Sequence, residues 1–114
     1  MLDVARQEPD DDARREAVLR AFVRADGSLR SIPARRSKRI VLLDQISQVF
    51  DVGVRYPERD VNALLRAFHP DVAALRRYLV DEEFLTRADS IYWRSGGTVV
   101  LLDELGDEPR GGAD

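Results

Sequence analysis

Apolar positions recur at helical spacing in four stretches of the chain and alternate in a fifth. The cleanest stripe lies in residues 57 to 68, where Val61, Leu64, Leu65 and Phe68 stand at i, i+3, i+4 and i+7 and make one narrow apolar face. Pro57 suits the first turn of this helix, where its missing N–H costs nothing. His69-Pro70 ends it, because a residue before proline is pushed out of the α region. Asp71 then caps a second helix, running to about Glu83, that buries Val72, Leu75 and Leu79 with Tyr78 at the margin. A gap of about three residues between two such helices is the turn length of a helix-turn-helix. Beyond it, Phe84 and Leu85 close onto the core. SIYWR at 90 to 94 alternates as a strand, with Ile91 and Trp93 toward the core and Tyr92 on the other side. Ser95-Gly96-Gly97-Thr98 carries a hairpin-turn signal, and Val99 to Leu102 reads as the returning strand.

The upstream half is organised less sharply. Residues 1 to 9 lack periodicity and read as a tail. Asp10, Asp11 and Asp12 offer caps for a helix that carries Val18, Leu19, Phe22 and Val23 and stops at Asp26-Gly27, where glycine is free to take a positive φ. LRSIP at 29 to 33 reads as a short strand that Pro33 ends. Ser37 is placed to cap a helix from Lys38 to about Phe50, and Asp51 to Arg55 reads as a loop. The sum is an α+β, mainly helical fold. It is a winged helix-turn-helix, with a three-helix core and a C-terminal β-hairpin, plus an extra N-terminal helix and short strand. One domain spans 10–102, between the tail at 1–9 and an acidic tail at 103–114.

Charge alters this picture by its distribution. The net charge is −3, yet residues 1 to 16 carry −3 and residues 103 to 114 carry −4, so the span between them carries +4. Seventeen of the eighteen basic residues are arginine, whose planar fork suits phosphates and base edges; a genome rich in G and C favours arginine as well. No acid falls between Ser28 and Leu43, a stretch that holds Arg30, Arg35, Arg36, Lys38 and Arg39. Cations in the first turn of a helix are disfavoured by its dipole, and a phosphate bound there would compensate. A solvated basic loop, or one paired with the acidic tails, is the plainer account. On the second helix of the pair, Ala73 and Ala74 leave a flat face beside Arg77, as a helix entering a DNA groove requires. The same face is also an ordinary exposed surface with an Arg77–Asp81 pair. Asn62 reads as an interhelical hydrogen-bonding residue and Arg76 as an anchor for a neighbouring helix's carboxylate.

Other chemistry is thinly represented. The chain has no cysteine and a single histidine, so disulfides, thiolate zinc sites and cysteine nucleophiles are excluded, and His69 reads as a turn residue. No catalytic set and no cofactor motif stands out. Tyr92 and Trp93 beside Arg94 would suit stacking on a base, but Trp93 alternates with Ile91 toward the core, so packing is the favoured account. No run is long and apolar enough for a membrane span or a secretory signal, so a cytoplasmic location is expected.

The run from Asp26 to Arg94 resembles an uncharacterised bacterial family, the domain of unknown function numbered 2087. The matching pieces are DGSLRSIPARRSKR at 26 to 39, YPERDVNALL at 56 to 65, HPDVAALRRYLVD at 69 to 81 and YWR at 92 to 94. The resemblance implies a winged-helix-like fold. Members are often labelled transcriptional regulators, sometimes beside an arsenic-repressor-type helix-turn-helix domain. Pro57 departs from the capping Ser or Thr expected in relatives, and the strand at 99 to 102 extends past the family's usual end. The expectation is a DNA-binding regulator and not an enzyme. Arg30, Arg35, Arg36, Lys38 and Arg39 hold the backbone of double-stranded DNA, and Arg59 and Arg77 lie nearer the groove. The alternative is a winged-helix interaction or dimerisation module that binds no nucleic acid, with the helix at 12 to 25 and the strand at 99 to 102 as contact surfaces.

Overall fold

A computed structural model describes residues 2–98, with side chains from Asp12 onward. It is an α+β structure of four helices and one three-stranded antiparallel sheet. In chain order the elements are α1 (Leu2–Phe22), α2 (Arg36–Ser47), β1 (Arg55–Pro57), α3 (Glu58–Arg66), α4 (Val72–Asp81), β2 (Leu85–Ala88) and β3 (Ile91–Arg94). The strand order is β1-β3-β2.

The core forms where the stripes of α2, α3 and α4 meet. Leu42, Leu43, Ile46, Val61, Leu65, Leu75 and Leu79 are each no more than 1% exposed, and each such side chain contributes about 1.5–3 kcal/mol on leaving water. Val18 from α1, Leu29, Phe50, Phe84, Leu85 and Tyr92 complete the core. Of the stripe on α3, Val61 and Leu65 are buried, whereas Leu64 and Phe68 are half-buried at its margin. Asp71 caps α4 as expected, its Oδ1 accepting from the Ala74 N–H at 3.1 Å. Asp71→Ala is therefore expected to cost about 1 kcal/mol, read as a lower urea midpoint at unchanged m-value.

Several elements differ from the sequence reading. The first helix begins at Leu2, so Asp10 to Asp12 lie inside it and do not cap it, and it ends at Phe22. The expected strand at 29 to 32 is a single bridge between Val23 and Leu29: Arg30 N–H is drawn to the Phe22 carbonyl and Leu29 N–H to that of Phe68, so no partner strand forms a ladder. α2 starts at Arg36, one residue before Ser37, and its N-cap position is Arg35 with no side-chain bond. Pro57 closes β1 and occupies the N-cap position of α3 in extended conformation.

The hairpin also lies one strand earlier than expected. β2 and β3 pair across a turn at Asp89-Ser90, with Arg87 opposite Tyr92 and Thr86 opposite Trp93, and β1 adds on the far side with Tyr56 opposite Tyr92. Asp89 takes a φ of 59° to make that turn, a conformation that aspartate tolerates better than most residues. The faces of β3 are exchanged relative to expectation. Tyr92 points into the core, because its ring fills space there while its hydroxyl reaches the Glu58 carboxylate at 2.9 Å. Trp93 is half-buried on the outer face beneath the Arg55 guanidinium, 4.2 Å from the ring centroid.

Ser95 to Thr98 fold back over α2 and make no hairpin; the expected strand Val99 to Leu102 and the acidic tail lie outside the described residues. The fold-back needs both glycines. A Cβ at Gly96 would stand 2.5 Å from the Glu83 carbonyl oxygen, and one at Gly97, where φ is +92°, would stand 2.5 Å from Ser47 Oγ. Thr98 then reaches Asp44, a nearly buried carboxylate on α2, which accepts from the Thr98 N–H at 2.6 Å and from its hydroxyl at 2.7 Å. Arg15 from α1 pairs with the same carboxylate at 3.1 Å. Burial alone would raise the Asp44 pKa; the Thr98 hydrogen bonds and the Arg15 charge outweigh it and hold the carboxyl below the usual aspartate range.

Candidate functional site

The outer side of α4 is an exposed helical surface bordered by other parts of the chain. At about 100° per residue, Leu75 and Leu79 face the core and leave Ala73, Arg77 and Asp81 outward, all exposed. Two other parts of the chain border this face. On one side, a groove of about 430 Å³ separates α4 from the β2–β3 hairpin, with Arg76, Arg77, Arg87 and Tyr92 among its lining residues. On the other side runs the segment from Leu29 to Arg39. It is fastened near the α3–α4 turn by the Leu29–Phe68 backbone bond, and at the C-terminal end of α4 by Arg36, whose Nε and Nη2 donate to the Glu82 carboxylate at 2.8 and 2.7 Å.

The groove floor is a closed polar network. Tyr92 Oη donates to Glu58 Oε1, Arg76 Nη1 donates to Asn62 Oδ1 at 2.6 Å, and Arg76 Nη2 lies 3.9 Å from Glu58 Oε2. Burial, together with the hydrogen bond to the Glu58 carboxylate and its charge, pushes the Tyr92 phenol upward, so it remains a donor across the neutral range. Asn62 and Arg76 therefore take the structural parts that their positions suggest. The network ties α4 to α3 and α3 to β3.

The seven basic residues singled out in the sequence divide on this surface. Arg30 and Arg35 are exposed on the flanking segment and Lys38 is half-buried. Arg36 is held by Glu82, and it draws that carboxyl's pKa down, chiefly through the hydrogen bond. Arg39 is turned inward: its guanidinium lies 4.4 Å from the Tyr78 ring centroid and donates to the Pro33 and Ala34 carbonyls at 3.2 and 2.8 Å. These two arginines fasten the segment onto α4. Arg36 also neutralises an acid that would otherwise border the outer face. Arg59 is 87% exposed at the start of α3, with Asp60 3.9 Å away. Arg77 is exposed at the centre of the outer face. Among the described residues no carboxylate pairs with it, so the pair expected with Asp81 does not form.

Arg87 belongs with this group, although sequence reasoning overlooked it. It is exposed on β2, its Nε donates to the Asp89 carbonyl at 2.8 Å, and it lines the groove opposite Arg77. The alternation of Leu85, Thr86, Arg87 and Ala88 ahead of Asp89-Ser90 is the signal that could have placed it. His69 is a turn residue whose Nδ1 accepts from the Asp71 N–H at 3.0 Å. Among the described residues no helix is long and apolar enough to cross a membrane.

Compared with known proteins, residues 28–94 match the sequence model of a family described as "Uncharacterized protein conserved in bacteria". No curated protein and no solved structure matches the chain.

Proposed function

The chain belongs to the DUF2087 family, and from that premise we propose that it is a winged-helix protein that binds double-stranded DNA and acts as a transcriptional regulator. The element order from α2 to β3 and the strand order β1-β3-β2 support this reading. On this reading α3 and α4 are the helix-turn-helix, α4 is the recognition helix and β2–β3 is the wing. The observation that carries it is the frame around α4. A face with Ala73, Asp81 and an Arg77 that pairs with no carboxylate among the described residues is bordered by Arg87 on the hairpin and by Arg30 and Arg35 on the opposite segment. A recognition helix lies in the major groove with phosphates on both sides, and cations are needed where those two backbones run. Arg36 and Arg39 contribute by holding the flanking segment in place.

Titration of a fluorescent duplex checks the reading. Binding in the range of about 1–10 µM is expected at low salt, and it weakens steeply as salt rises because counterions are released. No binding at tens of micromolar in low salt would overturn it.

A second reading, a dimerisation module without nucleic acid, draws on the exposed valines Val49, Val52 and Val54, which are 37%, 64% and 41% exposed in the approach to β1. Light scattering separates the two: a monomer that binds duplex supports the first, and a dimer indifferent to DNA supports the second.

A further inference from the structure

The groove between α4 and the β2–β3 hairpin has a volume of about 430 Å³, enough to admit a small molecule. Its three cations are unequally engaged. Arg76, whose side chain is 22% exposed, already donates to Asn62 and stands beside Glu58. Arg77, on the α4 wall, has neither a hydrogen bond nor a carboxylate partner among the described residues. Arg87, on the hairpin wall, donates from Nε to the Asp89 carbonyl and lies 5.8 Å from the Tyr92 ring centroid. Both of its Nη groups are left without an acceptor among the described residues. Two guanidinium groups with donors to offer therefore border one space from opposite walls. Asp81 lines the same space and offsets part of their charge, and Ala73 and Val80 give it a short apolar stretch.

We propose that this groove binds a small organic phosphate monoester. A carboxylate has one planar edge and suits a single guanidinium fork. A phosphate monoester carries three terminal oxygens in a tetrahedral array, so it can accept from two forks at once, one on each wall. The charge selects the same class. A monoester brings about −1.5 to −2 at neutral pH, which Arg77 and Arg87 can match. A polyphosphate would exceed them and would stand against Asp81. The organic part of the ligand lies along Ala73 and Val80. An occupant also withdraws both guanidinium groups from the α4 face, so on the duplex reading it is a competing effector. The ligand site itself does not depend on that reading.

Phenyl phosphate is the probe. It is titrated into the full chain at constant ionic strength, with no nucleic acid present, and followed by backbone amide shifts. Saturable shifts centred on Ala73 to Asp81 and on Arg87 are expected, with a dissociation constant on the order of 1 mM. Arg77→Gln and Arg87→Gln should each weaken binding by about tenfold or more. Arg66→Gln, which removes an exposed arginine of α3 outside the groove, should leave it unchanged. Shifts that do not saturate overturn the proposal, and so do equal losses in all three variants, which would report net charge alone. Two further probes fix the ligand class. Benzoate binding as tightly as phenyl phosphate overturns the phosphate assignment. Diethyl phosphate binding as tightly overturns the monoester assignment in favour of a nucleic-acid backbone phosphate. Each arm reads the small ligand alone, so a failure here is distinct from a failure of the duplex titration.

Discussion

Asp44→Ala is expected to destabilise the fold by about 2 kcal/mol, the scale on which removing a nearly buried carboxylate that accepts several hydrogen bonds acts, its partly exposed Arg15 partner adding less. The carboxylate serves three parts of the chain at once: Arg15 of α1, its own helix, and Thr98 at the end of the fold-back. Its removal leaves the Thr98 N–H without an acceptor and the Arg15 charge without a partner. Gln48, which also donates to the Asp44 carbonyl at 3.2 Å, can hold only the Thr98 carbonyl. Urea unfolding measures the loss, and a shift below about 1 kcal/mol would contradict this account of the anchor.

The same carboxylate sets a sign for acid sensitivity. Its folded pKa is depressed, so its stabilisation is fully present above the unfolded value of about 3.9 and fades as pH falls through the lower folded value. The parent should therefore exceed Asp44→Asn in stability at neutral pH, and the gap should narrow progressively below about pH 4. A gap that stays constant down to pH 2 would rule out this linkage.

Reversing both cations that face each other across the α4–hairpin groove, Arg77→Glu with Arg87→Glu, is expected to weaken duplex binding by about tenfold or more at low salt and to flatten its salt dependence. Both residues are exposed and neither pairs with a carboxylate among the described residues, so the fold should be little affected, and circular dichroism checks this. Arg36→Gln makes the informative contrast. It releases Glu82 beside the α4 face and unfastens the flanking segment, so it should lower the unfolding midpoint, while its direct effect on affinity should be smaller than that of Arg77→Gln. An Arg36 variant that outranks Arg77 in loss of affinity at unchanged stability would move the contact surface off α4.

The helical half of this structure was legible because periodicity over ten or more residues is hard to imitate. The stripe on α3, the proline that ends it and the Asp71 cap each depend on local chemistry that the tertiary structure leaves intact. The short strands were not legible in the same way. β1 is Arg55-Tyr56-Pro57, too brief to show alternation, and it exists because Tyr56 finds Tyr92 across the sheet and Phe50 edge-on at 5.2 Å. The hairpin was displaced because Ser95-Gly96-Gly97-Thr98 looks like a stronger turn than Asp89-Ser90. The glycines are there for a steric reason instead, the close approach to Glu83 and Ser47. Within the site, the residue types were legible and their engagement was not. Arg36 and Arg39 look like their neighbours in the sequence, and only the positions of Glu82 and Tyr78 show that Arg36 is held in an ion pair and Arg39 is turned against a ring.

The brevity of β1 has a consequence for the behaviour of the protein in concentrated solution. A three-stranded sheet exposes two edges, and open edges invite the growth of fibres by strand addition. Here one edge is three residues long and ends in Pro57, which has no N–H to offer a newcomer. The other edge carries Arg87, a charge that an incoming strand would meet at close range. Among the described residues both margins of the sheet thus carry a feature that opposes strand addition, and crowding should not readily drive this fold toward polymerisation through them.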